Sequence, residues 1–345
     1  MKLEQRDLSA QLLPPESLID PFGRHINYLR LSVTDRCDFR CIYCMSDQMT
    51  FLPRSAVLSL EELAWVGRAF VALGVTKIRI TGGEPLVRQN VDSLFQHLSG
   101  LHGLEKLCIT TNGAQLVKRA QALRDAGVTH LNISLDSLRA ERFKQLTRYG
   151  DLSQVLAGID VAKKVGFARI KLNAVVLKNF NQDEVFDLVD YVLAQQLDIS
   201  FIEEMPLGEV KSHSRQAEFV SSQDLREQIN ERFPLRQSNY ASGGPSRYWQ
   251  VQGHASRIGF ISPHSENFCG ACNRVRVTAS GRLLLCLGNE NSVDLRALLR
   301  ETPDEEKLVS LKNAIQSALT TKPERHHFDA PDAPQPVRFM NMTGG

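Results

Sequence analysis

Net charge and long apolar runs are what this sequence lacks. Against 39 Asp and Glu stand 41 Lys and Arg, a net charge of +2 over 345 residues, so no bulk basic field draws the chain to nucleic acid. No run is apolar enough to span a membrane. The opening MKLEQRDLSAQLLPPESLID lacks the apolar core of a secretory signal. These absences predict a cytoplasmic protein with neither nucleic acid nor membrane as partner. No long internal repeat or low-complexity region stands out. The remaining composition, 42% hydrophobic and 23% charged, is an ordinary globular mix, and the length suits one large α/β barrel or two ordinary domains.

Cysteine is present in an odd number. The seven stand at 37, 41, 44, 108, 269, 272 and 286, and the odd count argues against a disulfide framework. Six fall into two clusters of three. Cys108, alone in KLCITT, reads as a small buried hydrophobe.

From Tyr28 to Met205 short β-like runs alternate with amphipathic helical ones. YLRLSVT, TKIRITG, KLCITT, THLNISLD, ARIKLNAVV and DISFIEEMP read as strands. In SLEELAWVGRAFVALG, Leu60, Leu63, Val66, Phe70 and Leu73 recur at helical spacing before Gly74. QLVKRAQALRDAG and QDEVFDLVDYVLAQQ behave alike. Six strand–helix repeats predict an α/β fold with a parallel sheet and right-handed crossovers, an incomplete (βα)6 TIM-like barrel with a doubly wound sheet as the rival. The expected divisions are an N-terminal extension (1–27), the partial barrel (28–206), a C-terminal region (207–330) and an irregular tail (331–345). In the C-terminal region SSQDLREQINERF and PDEEKLVSLKNAIQSALTTK read as helices, RIGFISPH as a strand, and NRVRVTASGRLLLCL as a hairpin turning at Ser280-Gly281. The tail HHFDAPDAPQPVRFMNMTGG is too rich in proline and glycine to be regular.

Alternation divides the strand faces. Leu29, Leu31 and Val33 oppose Arg30, Ser32 and Thr34; Ile78 and Ile80 oppose Lys77, Arg79 and Thr81; Asn132, Ser134 and Asp136 share a face, as do Lys171 and Asn173. If helices cover the apolar faces, the polar faces point into the barrel, where bulky branched residues are usual. Such an interior suits a cavity, and its Arg and Lys suit an anionic ligand.

Cys37, Cys41 and Cys44 form C-x3-C-x2-C directly after the first strand. Three thiolates can hold three irons of a 4Fe–4S cluster and leave the fourth iron open. A zinc site needs a fourth ligand, and His25 is the candidate. CDFRCIYC with Tyr43 before its last cysteine, followed after the second strand by Gly82-Gly83-Glu84-Pro85, resembles the radical S-adenosylmethionine superfamily. The resemblance implies that S-adenosylmethionine chelates the open iron and is cleaved to a 5′-deoxyadenosyl radical. It also implies cofactor contacts at Tyr43, Gly83, Ser134 and Met205. Read alone, Met205 is equally a core residue.

Cys269 and Cys272 are C-x2-C, and Cys286 follows across the hairpin: again three, with Cys108 the only spare for a zinc ribbon. FCGACNRVR followed by Cys286 resembles, within that superfamily, the GTP 3′,8-cyclases of molybdenum cofactor biosynthesis, and the likeness runs from FGRHINYLRLSVTDRC to the terminal Gly344-Gly345. It implies a lyase that turns GTP into (8S)-3′,8-cyclo-7,8-dihydroguanosine 5′-triphosphate, with a second 4Fe–4S cluster on the guanine end. Substrate contacts would fall on Arg30, Lys77, Arg79, Thr110, Lys171, Arg274, Val275 and Arg276, and Gly344 and Gly345 would reach the active site. Implied partners are a reducing electron donor and cyclic pyranopterin monophosphate synthase (MoaC), which takes the product; monomer and homodimer are both open.

The chain departs from the family at Ser200, where an arginine is usual, at Ser46 and at Asp38. The alternatives are a radical enzyme with an auxiliary cluster acting on another substrate such as a peptide, a zinc-binding structural protein, and an impaired paralogue supported by Ser200.

Overall fold

The computed structural model describes residues 17–328 and 336–344; Gly345, most of the N-terminal extension and part of the tail lie outside them. The chain runs β1 (Tyr28–Ser32), α1 (Leu60–Ala72), β2 (Lys77–Thr81), α2 (Val91–Ser99), β3 (Lys106–Thr111), α3 (Leu116–Asp125), β4 (His130–Ser134), α4 (Ala140–Thr147), α5 (Leu152–Val165), β5 (Arg169–Val175), α6 (Val185–Gln195) and β6 (Asp198–Ile202). Then come α7 (Arg215–Glu218), α8 (Ser222–Arg232), β7 (Leu235–Gln237), β8 (Arg247–Val251), β9 (Arg257–Ile261), β10 (Arg274–Val277), β11 (Arg282–Leu284), β12 (Ser292–Asp294), α9 (Leu295–Glu301), α10 (Asp304–Leu319) and α11 (Met340–Thr343).

One sheet carries these strands, in the order β12-β11-β10-β1-β2-β3-β4-β5-β6-β9-β8-β7. β1 to β6 pair in parallel, as six strand–helix repeats require. The C-terminal region extends both edges of that core. β10 adds in parallel beside β1, and β9 beside β6. Antiparallel pairs β10–β11 and β8–β9 lead outward. Among the described residues nothing joins β7 to β12, so the barrel is incomplete.

The apolar faces went where alternation put them: Leu29, Leu31, Ile78, Ile80, Ile109 and Leu131 lie in the core beneath the helices. Helix α1 begins at a capping box in which Ser59 Oγ accepts from Glu62 N and Glu62 Oε2 accepts from Ser59 N. It stops before Gly74, whose φ is +89°.

The tail is not wholly irregular. Residues 340–343 form a short helix held by tertiary bonds: Met340 N donates to Cys44 O at 3.2 Å, and Asn341 Nδ2 to Asp35 O at 2.9 Å. Local composition could not reveal partners some 300 residues away.

Candidate active site

The loop after β1 carries the first triad. Arg40 N and Ile42 N donate to Thr147 O and Leu146 O, both at 2.9 Å, tying the loop to the end of α4. Phe39 packs edge-on against Phe143 at 6.0 Å. Asp38 accepts from Asn112 Nδ2 at 2.6 Å. The three thiols line one cavity. Burial raises all of them, Cys44 to about 12, and neighbouring thiol and acid groups add to the effect. Thiols so placed give up their protons to a strongly bound metal rather than to water.

The loop after β2 presses on this one. Gly83 N donates to Thr34 O at 2.8 Å, and a Cβ on Gly83 would lie 2.4 Å from Arg36 O. Gly83 is therefore glycine because two backbones touch there, as well as facing the cavity. Glu84 beside it is buried and accepts from Asn112 N, Thr111 Oγ1 and Leu86 N at 2.6, 2.9 and 3.0 Å, joining the loops of β2 and β3. Tyr43, Ser134 and Met205 line the same space. Tyr43 Oη donates to Asp136 Oδ2 at 2.6 Å. Burial lifts the Asp136 carboxyl to about 6, against bonds from Tyr43 and Val175 N that favour its charge.

The second triad opens onto that cavity too. Cys269 starts a single 3-10 turn, Cys272 ends it just before β10, and Cys286 follows β11. Burial raises the Cys269 thiol. Burial would raise Cys272 as well, but Arg274 and Lys322 hold it below the ordinary thiol value.

The same cavity has a basic lining. Arg30, Lys77, Arg79, Thr110, Lys171, Arg274, Val275 and Arg276 all line the cavity, whose volume is about 300 Å³. Arg79 donates to Tyr28 Oη at 2.8 Å and to Ile109 O at 2.9 Å. Burial would push the Tyr28 phenol up, yet Arg79, Arg30 and Lys77 bring it down to about 7. Burial and the charges of Arg79 and Arg274 lower Arg30 to about 10, which leaves it charged. Arg30 Nη2 and Arg276 Nη1 donate to Gly344 O at 3.0 and 2.8 Å, so the tail does reach this interior. Gly344 has φ +77°, and a Cβ there would lie 2.2 Å from Thr81 Oγ1.

Ser200 is fully buried. Its hydroxyl meets Lys171 Nζ at 3.0 Å and Ser246 Oγ at 2.8 Å. His25 is exposed and absent from the cavity wall, which removes it as a fourth ligand. Sequence reasoning missed Tyr28, Lys106, His130, Arg169 and Tyr248, all cavity-lining. Tyr28, His130 and Arg169 lie two residues before Arg30, Asn132 and Lys171, and Lys106 lies four before Thr110, so the same alternation carried further along each strand finds them. Tyr248, on β8 beyond β6 and β9, had no such signal.

The thiols fit clusters better than single ions. A tetrahedral zinc at about 2.3 Å from each sulfur draws its ligands into direct contact. Among the described residues no three His, Cys, Asp or Glu side chains are grouped to hold one ion. A 4Fe–4S cube keeps its thiolates further apart.

Comparison with known proteins agrees. The Radical SAM superfamily model matches residues 31–192, and the Molybdenum Cofactor Synthesis C model matches residues 197–328. A GTP 3′,8-cyclase of Saccharophagus degradans is 60% identical over 329 residues, 95% of this chain and 99% of the relative. GTP 3′,8-cyclase 2 of Pseudomonas aeruginosa is 60% identical over 328 residues, 95% and 98% of the two chains. The chain belongs to the GTP 3′,8-cyclase family. As a member it is a radical S-adenosylmethionine enzyme of molybdenum cofactor synthesis with 4Fe–4S clusters. The crystal structure of Streptococcus suis SuiB bound to S-adenosylmethionine has the same fold, with a TM-score of 0.62 at 17% identity, covering 92% of this chain and 77% of that one. Among the described residues no helix is long and apolar enough to cross a membrane.

Proposed function

We propose that this member of the GTP 3′,8-cyclase family closes GTP between C3′ of the ribose and C8 of guanine. The reading rests above all on the two cysteine triads lining one cavity together with the basic side chains of Arg30, Lys77, Arg79, Lys171, Arg274 and Arg276. When bound, the first cluster and S-adenosylmethionine supply the radical that removes the C3′ hydrogen.

The chain's own residues do the rest. Cys37, Cys41 and Cys44 hold the first cluster, and Cys269, Cys272 and Cys286 the second, against the guanine. Gly83, Ser134 and Met205 hold the cofactor, as does Tyr43, whose ring is fixed by Asp136. Arg30, Lys77, Arg79, Lys171, Arg274 and Arg276 neutralise the triphosphate, with Thr110 and Val275 beside it. Holding nucleotide and radical source in one water-poor space turns hydrogen removal and ring closure into steps within one complex. The tail carbonyl of Gly344 fixes Arg30 and Arg276. The product passes to cyclic pyranopterin monophosphate synthase, electrons come from a reducing donor protein, and the setting is the cytoplasm.

The test is anaerobic turnover of the iron-reconstituted protein with GTP, S-adenosylmethionine and dithionite, assaying 5′-deoxyadenosine and the cyclised nucleotide. Near-equal amounts are expected. Deoxyadenosine without cyclised product rejects GTP as the substrate of this chain.

A further inference from the structure

The second triad comes from two stretches of chain, 269–272 and 286. A turn distant from both in sequence, residues 322–324 after α10, connects them. Lys322 is only 3% exposed. Its ammonium donates to Arg274 O at 3.2 Å and to Leu285 O. Arg274 lies two residues after Cys272, and Leu285 immediately before Cys286. The next two residues offer their carbonyls to Arg24, which donates to Pro323 O at 2.8 Å, Glu324 O at 2.5 Å and Cys269 O at 2.8 Å. The turn thus reaches the backbone beside every ligand of the triad.

The two cations differ in their counter-charges. Arg24 is paired with the buried Asp20 at 2.5 Å. Among the described residues both hydrogen bonds of Lys322 go to neutral carbonyls. A buried ammonium without a facing anion is costly. The negative charge that would balance it is that of the thiolates next door.

We propose that Lys322 is the buried counter-ion and positioning residue of the second cluster. Arg24 is its mechanical partner, fixing Cys269 without adding net charge. The assignment rests on the reading that this triad holds a 4Fe–4S cluster facing GTP. An unneutralised positive charge beside the thiolates favours the reduced cluster and draws electron density from its irons. The open iron then becomes a stronger acceptor for a guanine lone pair.

The test uses full-length chain, reconstituted anaerobically, with Cys37, Cys41 and Cys44 replaced by Ala so that only the second cluster is present. Iron per chain, the EPR-monitored reduction midpoint and GTP binding are measured for that background and for Lys322→Met, Lys322→Arg and the double variant Arg24→Gln/Asp20→Asn. Lys322→Met should keep its iron while the reduced-to-oxidised ratio at fixed potential falls about tenfold, equivalent to ~59 mV for one electron. Its GTP affinity should fall in parallel. Lys322→Arg should keep the background midpoint, and the Arg24→Gln/Asp20→Asn double variant, which removes both charges of that pair, should shift it little. An unchanged midpoint in iron-loaded Lys322→Met overturns the proposal. If Lys322→Met loses its iron, Lys322→Arg decides: iron kept at the background midpoint supports the counter-ion, and iron lost there too overturns it. A background protein that holds the cluster but binds no GTP defeats the functional reading and leaves the midpoint to judge Lys322.

Discussion

At the scale of single residues the site divides its labour between two sets of thiols. Replacing Cys37 by Ala should abolish cofactor cleavage. Replacing Cys269 by Ala should leave uncoupled cleavage and remove cyclised product. Equal losses of both products in the two variants would sink that division. Tyr28 offers a test without substrate. Its phenol sits at about 7, below its ordinary value of 10.0, because Arg79, Arg30 and Lys77 outweigh the effect of burial. The folded chain therefore gains stability from this phenolate above pH 10 and loses it as pH falls through about 7. Lys171 and hydrogen bonds likewise bring buried Tyr248 down to about 8, so absorbance at 295 nm should show two early phenol ionisations in the wild-type protein, and Tyr28→Phe should lose the lower one. Triphosphate binding screens those cations from the phenolate, so GTP should move that step upward.

At the scale of elements, caps and the tail give separable predictions. Ser59 and Glu62 close the first turn of α1 on the surface away from the cavity. Ser59→Ala should cost about 1 kcal/mol in denaturant unfolding and leave cyclisation unchanged. The tail works the other way. Deleting Gly344-Gly345 should leave iron content and unfolding nearly untouched while product disappears, because Arg30 and Arg276 lose the carbonyl they share. Gly344→Ala forces a Cβ against Thr81 at positive φ and should weaken tail docking by about 1–2 kcal/mol, read as a fall of about tenfold in turnover. Full activity in the deletion would show that the tail is not part of the site.

At the scale of the whole molecule, the cavity is a cationic interior inside a chain of nearly neutral net charge. Such an interior is strained by self-repulsion and relieved by an anion. GTP at a hundred times its dissociation constant should raise stability by about 2.7 kcal/mol. GMP should raise it less at equal concentration, and Lys171→Gln should reduce the gain from GTP. Thermal melts with each nucleotide check this, and equal shifts from GTP and GMP would argue that the cations do not hold phosphates.

Much of this was legible in the amino-acid order because the signals are local. Alternation within β1, β2, β4 and β5 is a property of neighbouring residues, and it separated the core face from the cavity face. Cysteine spacing put each triad on one short stretch or hairpin, and six strand–helix repeats required a parallel core. What only the tertiary structure decided involves residues far apart in the chain. β9 and β10 join opposite edges of the core through backbone bonds that no side-chain pattern encodes. Ser200 meets Lys171 and Ser246, Gly344 meets Arg30 and Arg276, and Lys322 meets the carbonyls beside Cys272 and Cys286. Each meeting depends on where the curved, open sheet delivers a side chain, and sequence periodicity sets the face a residue occupies but not the distant partner waiting there.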